Sequence, residues 1–388
     1  FLLLVPFCLS TGFLFTLLSH RLSERMGGNP IAGVYGVEAA GSVVGGLVFN
    51  LGVVYLLSTF QSLLLLAAVN AGVFAWLARD LKVGALRHIF LGVILLVVIL
   101  EVAWDLDRSA AKHLFPAQRI VELEDTPYGK LAVTEQSGQI SFYENSVLLF
   151  STGDVSENEE SVHYAMVQHP GPKHVLLLSG GISGAIEEIL KYGVRTVDYV
   201  EINPRLVEMG RRFARVLDDP AVRTVASDAR RFVRQNGKLY DVVLINAPDP
   251  LTAQANRFYT VEFLREVKAR LSDSAVVAVS LLSSFDYYGD DARRLTSVVA
   301  NTMRAVFAHV LIVPGLKTYF LASDAQLNIR IGHMIEERGI STVYVNQDYI
   351  DDTLLRQRSD ALHRIVERDA GINRDFTPVG YYGQLRYW

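Results

Sequence analysis

The chain is expected to be an α/β protein. A mainly parallel sheet follows a small antiparallel sheet, and both follow a set of membrane-spanning helices. Three observations point there. Residues 1–104 are mostly apolar, whereas residues 105–388 carry most of the charge. Residues 118–152 break into short alternating runs separated by turn residues. From 175 onward, apolar runs of strand length alternate with helical segments, as in a parallel sheet covered on both faces.

Composition bounds the rest. A length of 388 residues suffices for two or three domains, and a net charge of −4 offers no basic surface for nucleic acid. The single cysteine, Cys8, sits in an apolar run, so neither a disulfide framework nor a Cys/His zinc pattern is expected, and no metal is. The chain opens at Phe1 inside an apolar stretch and stops at Trp388, as a piece of a longer protein would.

Four apolar segments, roughly 1–18, 31–57, 61–78 and 87–104, approach the ~20 residues that span a bilayer. Gly41 and Gly45 give the second a small-residue face for helix contact. Glu38 near its start suits an interfacial position. The lipid bilayer is therefore an expected partner. Arg21, Arg25, Arg79, Lys82 and Arg87 share one side, and Arg108, Lys112 and Arg119 lie on the other. That bias favours a soluble part opposite the cytoplasm. A cytosolic nucleoside cofactor argues the reverse. The reading adopted is an integral protein of the inner (cytoplasmic) membrane whose soluble domain faces the cytoplasm.

The soluble elements follow in order. Residues 105–117 read as a linker and 118–155 as a small antiparallel β subdomain, with strands near 120–123, 129–134, 139–143 and 147–150. Residues 156–325 read as a Rossmann-like nucleoside-binding catalytic domain that opens with a helix near 159–168. Val175–Leu178 enters a glycine-rich turn, Ser179 to Gly184; a helix and a second apolar run ending at Glu201 come next. Glycines let backbone pass close under a ligand, and an acid about 20 residues on suits ribose hydroxyls. The competing reading gives those glycines to tight packing alone. Further strands end at Asp228, Asn246 and Leu281, and a pair at 310–314 and 318–322 closes the sheet. Ser179, Glu201, Asp228, Asn246 and Asp249 thus gather at the carboxyl ends of the strands, where open α/β sheets bind ligands. Residues 326–388 read as a mostly helical extension.

In combination, the glycine-rich loop, Val200-Glu201-Ile202-Asn203-Pro204, Ser227-Asp228-Ala229, Pro248-Asp249-Pro250 and Phe258-Tyr259-Thr260 resemble the spermidine synthase (polyamine aminopropyltransferase) family. The apolar front half resembles its membrane-fused branch. The resemblance implies a class I methyltransferase-type fold and an S-adenosyl co-substrate, decarboxylated S-adenosylmethionine or S-adenosylmethionine itself. It also implies a small-molecule amine acceptor and a possible homodimer. Gly180, Gly181, Ser183 and Gly184 would then lie against the donor's tail, Glu201 on the ribose, and Asp228 with Ala229 at the adenine. Asp249 and Asn246 would form the catalytic loop. Tyr128, His163, Tyr164, Pro250 and Tyr259 would shape the acceptor pocket.

The departures fall on the amine half. Ile182 stands where the family keeps an acid for the donor's amine, and Asn246 stands for the first acid of the catalytic loop. A carboxamide takes up no proton at neutral pH, so Asn246 could only orient. Asp249 remains, with Glu160 and Asp154 as helpers. Bland readings stand beside the functional ones: a helix cap for Asp228, a turn residue for Asp249, a packed helix for His163. The expected function is a membrane-anchored, spermidine-synthase-like transferase. The alternatives are an S-adenosylmethionine-dependent transferase with another acceptor, or a non-catalytic nucleoside- or polyamine-binding module of a membrane transport protein.

Overall fold

The computed structural model describes residues 31–77, 105–282 and 289–381 throughout, and isolated positions among 5–20 and 88–99. The chain divides into two compact units, Phe1–Pro116 with Leu123–Lys130, and Ala117–Glu122 with Leu131–Trp388.

In the first unit, α1 (Ile31–Val48) continues through a π-helical turn, Phe49–Val53, to Leu56. α2 spans Thr59–Leu77. Among the described residues one helix, Ala32–Leu56, is long and apolar enough to cross a membrane; Thr59–Val73 is a shorter apolar stretch. The expected spans 1–18 and 87–104 lie outside the described residues, apart from isolated positions. The expected linker is instead occupied by α3 (Leu106–Leu114). Its signals are local: Asp105 caps it by accepting from the Arg108 N–H at 3.0 Å, and Lys112 and His113 complement its last turn. Asp107 and Asp125 carry negative charge to the start of α2. Asp107 accepts from Ser58 Oγ at 2.5 Å and the Phe60 N–H at 3.4 Å, and Asp125 from the Thr59 N–H at 3.1 Å. Those backbone N–H groups have no partner inside their own helix, so the carboxylates supply one. Burial opposes ionisation of Asp107, but Lys130 and Ser58 hold its carboxyl below the usual range.

A four-stranded sheet is formed by β1 (Arg119–Thr126), β2 (Gly129–Gln136), β3 (Gln139–Glu144) and β4 (Val147–Ser151), in that order. The tip of its first hairpin, Leu123–Lys130, groups with the first unit and the rest with the second. α4 (Val155–Met166) leads to the larger sheet. The large sheet's parallel strands are β5 (His174–Leu178), β6 (Thr196–Glu201), β7 (Val222–Ala226), β8 (Tyr240–Ile245) and β9 (Leu271–Leu281). Three crossover helices matter below: α5 (Ala185–Leu190), α6 (Pro204–Gly210) and α7 (Ala229–Gln235). Antiparallel β10 (His309–Pro314) and β11 (Thr318–Ser323) close the sheet in the order β10-β11-β9-β8-β5-β6-β7. β5 reads as a continuous apolar run because both its faces are buried: Leu176 and Leu178 pack into one core, Val175 and Leu177 into the other. The chain winds from β5 outward through β6 and β7, then returns to β8 on the other side. The reversal opens a crevice at the carboxyl ends of β5 and β8.

Residues 326–381 are less helical than expected. They hold α8 (Ile331–Glu337) and α9 (Asp352–Ile365), and long irregular stretches follow each. Those stretches are fixed by buried polar contacts, which leave no helical periodicity to read. Glu159 accepts the N–H groups of Val343, Tyr344 and Val345 at 2.6, 2.7 and 3.0 Å. Buried Asn373 donates to Asn256 Oδ1 at 2.9 Å and to the Tyr259 carbonyl at 3.0 Å.

Candidate active site

The crevice is built first by the loop after β5. Ser179 adopts a left-handed conformation (φ 66°), which for a residue with a side chain must be held in place by its neighbours. Its N–H donates to the Val200 carbonyl at 3.0 Å and its hydroxyl to Glu201 Oε2 at 3.0 Å. Glu201, at the end of β6, also accepts from Tyr199 at 3.2 Å and from its neighbour Ile202's N–H at 2.8 Å. Burial pushes its carboxyl up, against these hydrogen bonds.

The glycines of this loop make room for protein atoms. A Cβ on Gly180 (φ 76°) would lie 3.1 Å from Asn246 Cβ, and one on Gly181 would lie 2.7 Å from the Tyr199 ring. A Cβ on Gly184 would come within 2.7 Å of Asn158 Nδ2. Asn158 closes the loop: it donates to the Ser183 carbonyl at 2.8 Å and accepts from Ser183 Oγ at 2.7 Å. The side-chain space at Gly180, Gly181 and Gly184 is already taken by protein atoms. A Gly181→Ala variant is expected to lose about 1–3 kcal/mol of stability, because the Tyr199 ring is buried and cannot swing away. An unchanged melting temperature would show that the ring has room to move.

Ile182 is buried in the apolar core and packs on α6, where a Cβ on Gly210 would meet its Cδ1 at 2.4 Å. The absent acid is thus replaced by a core contact, and the Ile182 side chain adds no chemistry to the crevice.

Asp228 follows β7 and is doubly engaged. It caps α7 by accepting from the Arg231 N–H at 2.8 Å, and it forms a forked pair with Arg257, at 2.9 and 3.0 Å. Arg257 was not legible as a site residue; a lone arginine ahead of Phe258-Tyr259 carries no spacing signal. Ala229, the first residue of α7, is buried beside Asp228.

The loop after β8 carries Asn246, Asp249 and Pro250. Asn246 anchors it through its N–H to the Leu178 carbonyl at 3.0 Å. Both Asp249 oxygens accept the Leu282 N–H, at 3.0 and 3.2 Å. Burial raises the Asp249 carboxyl, and the Leu282 contact and the charge of Lys317 only partly offset this. Pro250 is buried at the end of the turn. Tyr259 is fully buried, and its hydroxyl donates to the carbonyls of Ala247 at 3.2 Å and Ser280 at 3.0 Å. It ties the loop after β8 to the end of β9.

A second carboxylate of raised pKa stands on α4. Glu160 is pushed up to about 7 by burial, against the hydrogen bond from the Leu316 N–H and the nearby Tyr319 and Tyr164. The Leu316 contact is 2.7 Å, and the Tyr164 and Tyr319 rings meet edge-on with centroids 5.2 Å apart. Tyr164 is thus placed beside Glu160, as a buried partner of that carboxylate.

Two expected acceptor residues go elsewhere. His163 is fully buried between α4 and α5, its ring nitrogens 2.8 Å from Tyr192 Oη and 2.8 Å from Glu188. An alternating helix face put it next to Tyr164 in sequence but on the packed side. Tyr128 lies in the exposed hairpin tip that groups with the first unit. Among the described residues, Glu159, His163 and Glu188 have the spacing of metal ligands, with their ligand atoms within 4.8 Å. Glu159 is spent on three backbone N–H groups, and Glu188 on His163 and on Lys191 at 2.5 Å. The Tyr287-Tyr288 pair, which by sequence could cover the site but reads more simply as a surface loop, lies outside the described residues.

Residues 155–325 match the spermine/spermidine synthase domain. That stretch is a spermidine synthase family domain. Polyamine aminopropyltransferase 1 of Streptomyces coelicolor is 33% identical over 299 residues, which cover 70% of this chain and 55% of that protein. The polyamine aminopropyltransferase of Oceanobacillus iheyensis is 28% identical over 269 residues, covering 63% and 51%. The chain therefore spans about half the length of these curated relatives. The spermidine synthase fold is shared with two solved structures. One is a spermidine synthase in complex with the transition-state analogue AdoDATO, with a TM-score of 0.55 and 19% identity over 64% of this chain and 88% of that one. The other is the spermidine synthase of Thermotoga maritima, with a TM-score of 0.51 and 17% identity over 63% and 88%. Glu201 closes β6, Asp249 lies in the loop after β8, and Glu160 is a half-buried carboxylate pushed up to about 7.

Proposed function

We propose that the second unit is an aminopropyltransferase. It would take the aminopropyl group of decarboxylated S-adenosylmethionine and pass it to a small amine. The observation that carries this reading is the spermine/spermidine synthase match over residues 155–325, within which burial raises the carboxyls of Asp249 and Glu160 and Glu201 closes a strand end. An amine that arrives as an ammonium must lose a proton before its nitrogen can attack. A carboxylate with a pKa near 7 is suited to take that proton at neutral pH. The nitrogen then bonds to the carbon beside the sulfonium, the carbon–sulfur bond breaks, and its electron pair leaves the donor as a neutral thioether. Asp249 would hold the amine, and Glu160 would receive the proton. Glu201 would accept the ribose hydroxyls of the donor, and the Asp228–Arg257 fork would border the adenine. The named relatives act as polyamine aminopropyltransferases, and one structural neighbour binds AdoDATO, which favours this chemistry. Ala32–Leu56 would anchor the enzyme to a bilayer, consistent with its almost fully exposed apolar surface.

The test is product analysis by mass spectrometry with decarboxylated S-adenosylmethionine and a panel of amines. An adduct heavier by one aminopropyl group is expected, together with release of methylthioadenosine. If S-adenosylmethionine itself were consumed instead, the alternative transferase would be favoured. Calorimetry showing that no nucleoside binds would sink both.

A further inference from the structure

Two acids stand at neighbouring strand ends of the crevice. Glu201 ends β6, and the N–H of Ser227, just past β7, donates to the Glu201 carbonyl at 3.0 Å, which brings Asp228 alongside. The two oxygens of Asp228 are used unequally. Oδ1 accepts from the Arg231 N–H at 2.8 Å and from Arg257 Nη2 at 3.0 Å, while Oδ2 meets Arg257 Nη1 at 2.9 Å. A carboxylate offers about four acceptor positions, two on each oxygen. Among the described residues, the position left over is on Oδ2, and the Asp228 side chain is 27% exposed, so a ligand can reach it. Arg257 is itself held from both sides. Asn256 before it accepts from Asn373 at 2.9 Å, and Tyr259 after it is tied to the carbonyls of Ala247 and Ser280. A guanidinium fork on so fixed a backbone fixes the plane of the carboxylate it grips. We propose that Arg257 is a specificity-determining residue of the donor site: it leaves Asp228 a single acceptor for the purine edge, and so selects a base with an exocyclic amino group over one with an oxo group.

The argument rests on the aminopropyltransferase reading above and deepens it. Adenine carries an N–H donor on its exocyclic nitrogen, which a fixed carboxylate oxygen can accept. Hypoxanthine carries a carbonyl oxygen at that place, and its N–H lies on the adjacent ring nitrogen. Against Oδ2 it sets acceptor on acceptor and leaves a desolvated polar group unpaired, the kind of mismatch that sites built on hydrogen bonds reject strongly. Without the fork, Asp228 is held only by its cap on Arg231. Its carboxylate can then turn and offer an oxygen to the ring N–H of hypoxanthine instead. Arg257 therefore supplies selectivity more than affinity, by denying Asp228 its second orientation.

The experiment is calorimetry with methylthioadenosine and methylthioinosine, which share ribose and thioether and differ in the amino or oxo group of the base. Wild-type protein is expected to bind the adenine nucleoside about a hundredfold more tightly. Arg257→Met should bring that ratio to about tenfold or less, and Arg257→Lys, with one donor in place of a fork, should fall between. A general loosening of the fold weakens both nucleosides together and leaves their ratio alone. Should the methionine variant fail to fold, the lysine variant decides, and the wild-type ratio in it overturns the inference. Equal binding of the two nucleosides by the wild type, or a hundredfold ratio kept in Arg257→Met, overturns this inference and leaves the transferase reading intact. Absence of binding of either nucleoside overturns both.

Discussion

Asp249→Ala is expected to lower kcat/KM for aminopropyl transfer by about a thousandfold, the scale of losing a buried carboxylate that pairs an ammonium. Two roles must be separated, because the same carboxylate accepts the Leu282 N–H and so orders the end of β9. Asp249→Asn makes the separation. Its carbonyl oxygen can still accept from Leu282, while its charge is gone. The asparagine variant should therefore melt like the wild type and be nearly as inactive as the alanine variant. Nucleoside binding should survive in both, since Glu201 and the loop at Ser179 do not depend on Asp249. If Asp249→Asn kept most of its turnover, the residue would be a loop clasp and the amine would be held elsewhere.

Glu160→Gln has two expected effects that run in opposite directions with pH. The folded-state carboxyl is raised from 4.5 to about 7 by burial. Between these values the folded protein binds a proton that the unfolded chain has already released. Stability is then highest below about 4.5 and falls as pH rises through 7. The loss is bounded at about 3 kcal/mol, and less where water reaches the group. Glutamine abolishes that loss, so the variant should melt higher than the wild type at pH 8 and about level with it at pH 5. Activity should do the reverse. A proton acceptor must be ionised, so the wild-type rate should climb through about pH 7, and Glu160→Gln should be slower with that limb removed. A variant with the wild-type pH profile of kcat/KM would show that the proton goes elsewhere, whatever its melting curve does.

The sheet was legible because its central strands are largely apolar runs. Val175–Leu178 and Tyr240–Ile245 are buried on both faces, and only a parallel central sheet asks for that. The acids at the strand ends were legible for the same reason, since a charge at the end of an apolar run stands out. What stayed hidden depends on three-dimensional neighbours. Whether Gly181 faces a ligand or the ring of Tyr199 is a question of what lies across a sheet, and sequence spacing does not contain it. Ile182 read as a lost ligand because it was compared position by position; its place in the core under α6 shows that the loop had been repacked. His163 and Glu160 sit three apart on α4, yet one is sealed against α5 and the other meets the β10–β11 turn. Helical period alone could not choose between them, because the chain elements that cover each face come from far along the sequence.

The contacts of Glu159 bear on where such a domain begins and ends. The family match stops at residue 325, and the turn that satisfies this buried carboxylate lies at Val343–Val345. Asn373 and Asp375 reach back in the same way, to Asn256 and to Arg230. A piece ending at residue 325 would keep every strand of both sheets and still leave the buried Glu159 carboxyl without its three backbone partners, at a cost of several kcal/mol. The smallest piece that folds alone is therefore expected to be longer than the family match. The last fifty-odd residues act as its closing seam, and recombinant boundaries are better drawn from the hydrogen bonds of the interior than from the extent of family likeness.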